Sequence, residues 1–136
     1  MTEARLAHVM IFVKQIEPMA AFYQTVFDLS PQPSSEPRWL VLTSKTGAGI
    51  ALHALPDDIA AELAMTNPPE WNDKAASKIC FEVPDVIAHR ERILTHGGQA
   101  KEPWDWDDTR FCECADPEGN VIQIFMRVQQ FLPELS

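Results

Sequence analysis

The stretch Leu6-Ala7-His8-Val9-Met10-Ile11-Phe12-Val13 returns, in pattern and length, as Ala76-Ser77-Lys78-Ile79-Cys80-Phe81-Glu82-Val83. The first copy is apolar and rich in Val, Ile and Phe, the signature of a buried strand. The segments downstream of the two copies repeat as well. After the first, Glu17-Pro18 opens a helix, since proline is tolerated in a first turn. Its apolar stripe is Met19, Phe22, Tyr23, Val26 and Phe27. Ser30 to Pro37 holds three prolines and three serines and reads as a loop. Trp39–Thr43 and Ile50–Leu55 read as strands joined by a turn at Thr46-Gly47-Ala48-Gly49.

Asp57–Met65 suits a short helix, and Thr66–Asp73, with Pro68-Pro69, a linker. The pattern then restarts. Lys78–Val83 is the strand, and Asp85 caps a helix that runs to Thr95 and ends at Gly97-Gly98. Lys101–Asp108 reads as a loop. Arg110–Ala115 and Val121–Arg127 are strands around the turn Asp116-Pro117-Glu118-Gly119-Asn120. Gly47-Ala48-Gly49-Ile50-Ala51-Leu52 matches Gly119-Asn120-Val121-Ile122-Gln123-Ile124, so the two halves pair element by element. The expectation is a single α+β domain over 1–136. Its first βαβββ module spans 6–55, a linker 56–75 and a second module 76–128. Their mixed sheets would curl around a central cavity, each burying one face on its helix.

The chain has 136 residues and is 46% hydrophobic and 23% charged, a globular composition. Eleven basic against twenty acidic side chains give a net charge of −9, which argues against a nucleic-acid partner. No apolar run is long enough for a bilayer, and Met-Thr-Glu-Ala-Arg does not resemble a signal peptide. Three cysteines, Cys80, Cys112 and Cys114, make no disulfide framework and point to a reducing, cytoplasmic setting. Cys112 and Cys114 share a strand face and read as buried, inert thiols.

The ordered set of Leu-x-His-Val-x-Ile-x-Val, the Phe22-Tyr23 helix and the Asp-Pro-Glu-Gly-Asn turn before Val-Ile-Gln-Ile resembles the vicinal oxygen chelate superfamily. That group holds glyoxalase I, extradiol dioxygenases, fosfomycin-resistance enzymes and bleomycin-resistance binding proteins. The resemblance runs from Leu6 to Arg127 and implies the glyoxalase/bleomycin-resistance/dioxygenase fold. It does not name a reaction. It also implies a homodimer and a divalent metal held at a few cavity positions.

His8 matches one of those positions, on the first strand. Lys78 stands where the metal enzymes resemble one another in a His, Gln123 where they carry a Glu, and Ala51 where some add a further ligand. His53 lies two residues beyond Ala51 on the same face. A divalent metal takes neutral imidazole and carboxylate. An ammonium repels it, and an amide offers no charge. No cofactor is therefore expected. The ligand set, were a divalent metal bound, would be His8, His53 and Gln123. His8 itself is either a former ligand reused toward a substrate or a satisfied half-buried histidine.

Strand alternation sends His8, Met10 and Phe12 into the cavity, with Val9, Ile11 and Val13 toward the helix. It likewise sends Lys78, Cys80 and Glu82 inward, with Val121, Gln123 and Phe125 from the last strand. Burying Lys78 and Glu82 would be costly without partners. Glu113 points inward as well, where Lys78 would neutralise it, as a structural ion pair or as acid and base. The segment Glu102-Pro103-Trp104-Asp105-Trp106-Asp107-Asp108 sets two tryptophans among acids, which suits a flat cationic ligand. A solvated loop whose tryptophans cover a hydrophobic edge or meet a second subunit accounts for it slightly better.

Three candidate functions emerge. The first is a metal-free binding protein for a small molecule, aromatic or cationic, with His8, Phe12, His53, Lys78, Glu82, Trp104, Trp106, Glu113 and Gln123 as ligand-binding residues. The second is a metal-dependent lyase, isomerase, transferase or dioxygenase acting on vicinal oxygens. The third is a metal-free enzyme using Lys78, Glu82 or Glu113. Neither nucleic acid nor a membrane is an expected partner.

Overall fold

Apolar residues alternate along each strand so that one face can be buried, and both halves of the chain use that face to carry a helix. The structure, a computed structural model, describes residues 4–62, 69–71 and 77–128. The chain divides into two compact units, Met1–Thr66 and Asn67–Ser136.

The first unit runs β1 (His8–Val13), α1 (Ile16–Phe27), β2 (Ser30–Pro31), β3 (Trp39–Thr43), β4 (Gly49–Ala54) and α2 (Asp57–Glu62). Its curled sheet has the order β1-β4-β3-β2, with β1 parallel to β4 and the other pairs antiparallel. α1 packs on β3 and β4. It buries Met19, Phe22, Tyr23 and Val26 with Val13, Leu42, Ile50 and Leu52 from the facing strands. No side chain caps its start, and Asp28 ends it in the left-handed region with φ 56°, a conformation aspartate tolerates better than most residues.

The second unit runs β5 (Ile79–Glu82), α3 (Val86–Thr95), β6 (Gln99–Ala100), β7 (Trp104–Trp106), β8 (Thr109–Ala115) and β9 (Val121–Arg127). Its sheet order is β5-β9-β8-β6, with β7 also paired to β8 and β5 parallel to β9. That is the order of the first sheet repeated, so the duplication read from the sequence is real at the level of topology. α3 packs on β8 and β9 over Ile93, Cys112, Cys114, Ile122 and Ile124, all fully buried. Asp85 caps α3, its Oδ1 accepting from Ala88 N at 3.1 Å.

Two expected loops contain strands. In 30–37, Ser30–Pro31 pairs antiparallel with β3 and completes the first βαβββ module. Proline is acceptable there because β2 is an edge strand. In 101–108, Trp104–Trp106 forms a hairpin with β8, closed by Asp107 (φ 58°) and Asp108. The short Trp-Asp-Trp alternation favours a strand, and the density of acids hides it. Of the expected linker 56–75, Pro56, α2 and residues 69–71 are described. The remainder, with the end of the helix expected over Asp57–Met65 and Ala76 of the second repeat, lies outside the described residues. Pro69–Trp71 belongs to the second unit: Gln99 Nε2 donates to Pro69 O at 2.8 Å.

Among the described residues no helix is long and apolar enough to cross a membrane.

Candidate functional site

Each sheet has one face on its helix and one face turned away from it. The residues that turn away are those the alternation selects.

In the first unit the parallel register sets His8, Met10 and Phe12 of β1 beside Gly49, Ala51 and His53 of β4, and His53 opposite Trp39 of β3. Trp39 organises this face. Its ring meets His8 edge-on at 5.7 Å and His53 edge-on at 5.6 Å, and Phe12 lies 5.4 Å from His53. His8, Phe12 and His53 are thus brought together by one indole. Gly49 is required for a different reason, since a Cβ there would overlap the Leu42 carbonyl of the neighbouring strand. Met10 and Phe12 stay exposed, Phe12 at 53%. Val9, expected against the helix, is also exposed. β1 is an edge strand, and α1 covers β3 and β4 rather than the start of β1.

In the second unit the open face is built as two adjacent rows running across the strands. The polar row is Cys80, Gln123 and Glu113 in register, continued by Lys101, whose backbone N–H donates to Glu113 O at 2.9 Å. The aromatic row is Glu82, Phe125, Phe111 and Trp104. Trp104 stacks on Phe111 with centroids 5.3 Å apart and planes 19° apart, and Phe111 meets Phe125 at 6.4 Å. Trp106, one position beyond opposite Thr109, is 70% exposed.

Lys78 reaches over the polar row. Its Nζ is 2.6 Å from Glu113 Oε2 and 3.5 Å from Gln123 Oε1. Lys101 Nζ holds the other carboxylate oxygen at 2.8 Å and lies 5.0 Å above the Trp71 ring. The bonds from Lys101 and then Lys78 hold the Glu113 carboxyl below the usual glutamate range. Lys78 therefore meets Glu113, as alternation predicts, but both Lys78 and Glu82 are exposed. The expected desolvation cost does not arise.

The acids around the tryptophans are mostly matched. Glu102 pairs with Arg90 at 3.1 Å, Asp105 with Arg110 at 2.8 Å and Asp108 with Arg127 at 3.6 Å. Arg110, which lowers the Asp105 carboxyl, pairs across β7 and β8. The field that suggested a cationic ligand is largely neutralised by Arg90, Arg110 and Arg127, which lie outside the acidic segment.

The residues do not fit the divalent metal that the family resemblance implies. An ammonium occupies the polar row beside Gln123, Ala51 offers no donor atom, and His8 and His53 both press against Trp39. Among the described residues no three His, Cys, Asp or Glu side chains converge as a metal site requires. Cys112 and Cys114 are buried with sulfurs 3.7 Å apart. The contact with Cys112, and then burial, push the Cys114 thiol far up. Cys80, on the polar row, is exposed.

Sequence reasoning missed Lys101, whose place depends on the pairing of β6, and the role of Phe111, whose direction depends on the register of β8. The alternation of Thr109–Ala115, read with Glu113 inward, already puts Phe111 on the same face.

A family model described as a glyoxalase-like domain matches residues 8–125. A glyoxalase/bleomycin resistance protein/dioxygenase family enzyme from Burkholderia phytofirmans PsJN superposes with a TM-score of 0.70 at 23% identity, covering 91% of this chain and 99% of that one. A genomically encoded fosfomycin resistance protein from Listeria monocytogenes superposes at 0.68 and 17% identity, covering 92% and 94%. A glyoxalase/dioxygenase from Nostoc punctiforme superposes at 0.68 and 15% identity, covering 90% of each. At these identities the likeness is one of fold. No curated protein matches in sequence.

Proposed function

This chain belongs to the glyoxalase-like domain family, and from that premise we propose that it is a small-molecule-binding protein that works without the divalent metal its resemblance implies. The ligand is a flat organic molecule laid on the aromatic row of the second unit, beside the polar row of Lys78, Gln123, Glu113 and Lys101. The observation that carries this reading is the position of Lys78 Nζ, 2.6 Å from Glu113 and 3.5 Å from Gln123. Positive charge is already fixed at these residues by a side chain, and a cation beside it would be repelled. His8, His53 and Phe12 form a second aromatic face in the first unit, available to ligand contacts through Phe12.

The family carries enzymes, resistance proteins and dioxygenases among its structural neighbours, so a reaction is compatible with this scaffold. Acid–base chemistry on Glu113 is disfavoured. A carboxylate held by two ammoniums is a weakened base and stays ionised at neutral pH. The Lys78–Glu113 pair therefore serves structure and charge. The same reading places the protein in a reducing cytoplasm, as a homodimer, with no nucleic-acid partner.

Metal analysis tests the central point. Protein purified with Zn²⁺, Ni²⁺ or Fe²⁺ present and then dialysed is expected to retain far less than one equivalent. Stoichiometric metal that disappears in His8→Ala or His53→Ala would overturn the reading in favour of a metal-dependent lyase, isomerase, transferase or dioxygenase.

A further inference from the structure

We propose that the ligand of the second unit's open face is an aromatic anion, an aryl carboxylate, with its ring on the Trp104–Phe111 end of the aromatic row and its charge on Lys78 and Lys101. This rests on the binding function proposed for that face and adds the sign of the ligand's charge and its direction on the sheet.

The two rows are consecutive on the same face, so they lie one two-residue strand repeat apart, about 7 Å. Glu113 and Phe111 are the neighbours that join them along β8. A ring stacked at Phe111 with a carboxylate in its plane spans that separation. The charges are arranged for it. Two ammoniums converge on one carboxylate at Glu113, a local sum of one positive charge. Each ammonium has three donors, and Lys78 directs one to Glu113 and one to Gln123. An incoming carboxylate takes a further one.

The opposing charge is remote. Glu82 stands on β5, two strands from Phe111 across β9, which is about 10 Å. Asp105 and Asp108, beside the tryptophans in sequence, are taken by Arg110 and Arg127. The net charge of −9 repels anions at a distance, but at physiological ionic strength screening confines that to about 8 Å. The charges in direct contact with Glu113 are the two lysines.

Calorimetric titration of the full chain with 2-naphthoate, neutral 2-naphthamide and cationic 2-naphthylmethylammonium tests the assignment. Naphthoate is expected to bind about tenfold more tightly than naphthamide, the worth of one charge-assisted hydrogen bond. Lys78→Gln with Lys101→Gln leaves the Glu113 carboxylate alone and should turn the preference toward naphthamide without weakening naphthamide itself, and Lys78→Arg with Lys101→Arg should keep the preference for naphthoate. In the unaltered protein the preference should shrink between about 0.15 M and about 1 M salt, as the screening length falls from about 8 to about 3 Å. That arm decides even if a lysine variant fails to fold. A preference for the ammonium compound, or a naphthoate preference indifferent to salt or to loss of both lysines, overturns the proposal. If naphthamide binds as well as naphthoate and Trp104→Ala weakens both, the anion assignment falls and the binding surface stands. If none of the three binds, both fall.

Discussion

Glu113 receives both lysines of the polar row, and its depressed carboxyl links stability to acidity. A group lowered in the folded chain stabilises fully above its ordinary value, 4.5 for glutamate, and loses that contribution as the pH falls through the lowered value. Thermal midpoints of the wild type should therefore drop more steeply on acidification below about 4.5 than those of Glu113→Gln. Parallel curves would refute the linkage. Gly119 poses a different constraint. Its φ is 89°, and a Cβ there would overlap the carbonyl of Glu70. At Gly47, with φ 96°, a Cβ would meet nothing within 4 Å. Denaturant titration should show Gly119→Ala destabilising by well over about 1 kcal/mol, since strain and overlap add, and Gly47→Ala by about 1 kcal/mol from strain alone. The Asp-Pro-Glu-Gly-Asn turn was legible in the sequence because Asp116 serves it locally. Its buried carboxylate accepts from Glu118 N, Asn120 N and Asn120 Nδ2 at 2.9 to 3.2 Å. The dependence on Glu70 was not legible, because that contact joins residues far apart in the chain.

Among the elements, α3 shows how a local signal and tertiary packing divide the work. Asp85 satisfies an N-terminal amide, and Gly97, with φ 95°, turns the chain away at the other end. Asp85→Ala should cost about 1 kcal/mol, the usual worth of such a cap, read as a lower unfolding midpoint with the fold unchanged. α1 has no side-chain cap and depends on its buried stripe instead. Both helices could be read from the sequence, one from its ends and the other from its period. β2, β6 and β7 could not, because strands this short gain their stability from the partner across the sheet rather than from their own residues. The missed β7 mattered for the site, since its pairing places Trp104 on Phe111 and Asp105 on Arg110.

Across the whole molecule, acids outnumber bases by nine, and several of them are held in ion pairs. Each exposed ion pair is worth at most about 1 kcal/mol and weakens with salt, whereas a net charge of −9 opposes compaction throughout. Repulsion should prevail, so the melting midpoint at neutral pH should rise when salt is increased from about 0.01 M to about 0.15 M. A falling midpoint would show that the ion pairs dominate.

The sequence by itself determined the duplicated β-α-β-β order, the helix-bearing face of each sheet and the common face of Gln123 and Glu113, over which Lys78 reaches. These follow from periods of two and 3.6 residues, which the backbone imposes wherever strands and helices form. Only the tertiary structure decided which charges meet: Lys101 joining Lys78 on Glu113, and arginines answering the acids around Trp104 and Trp106. Ion pairs form between side chains that strand register brings together, and register is set by pairing between segments distant in the chain.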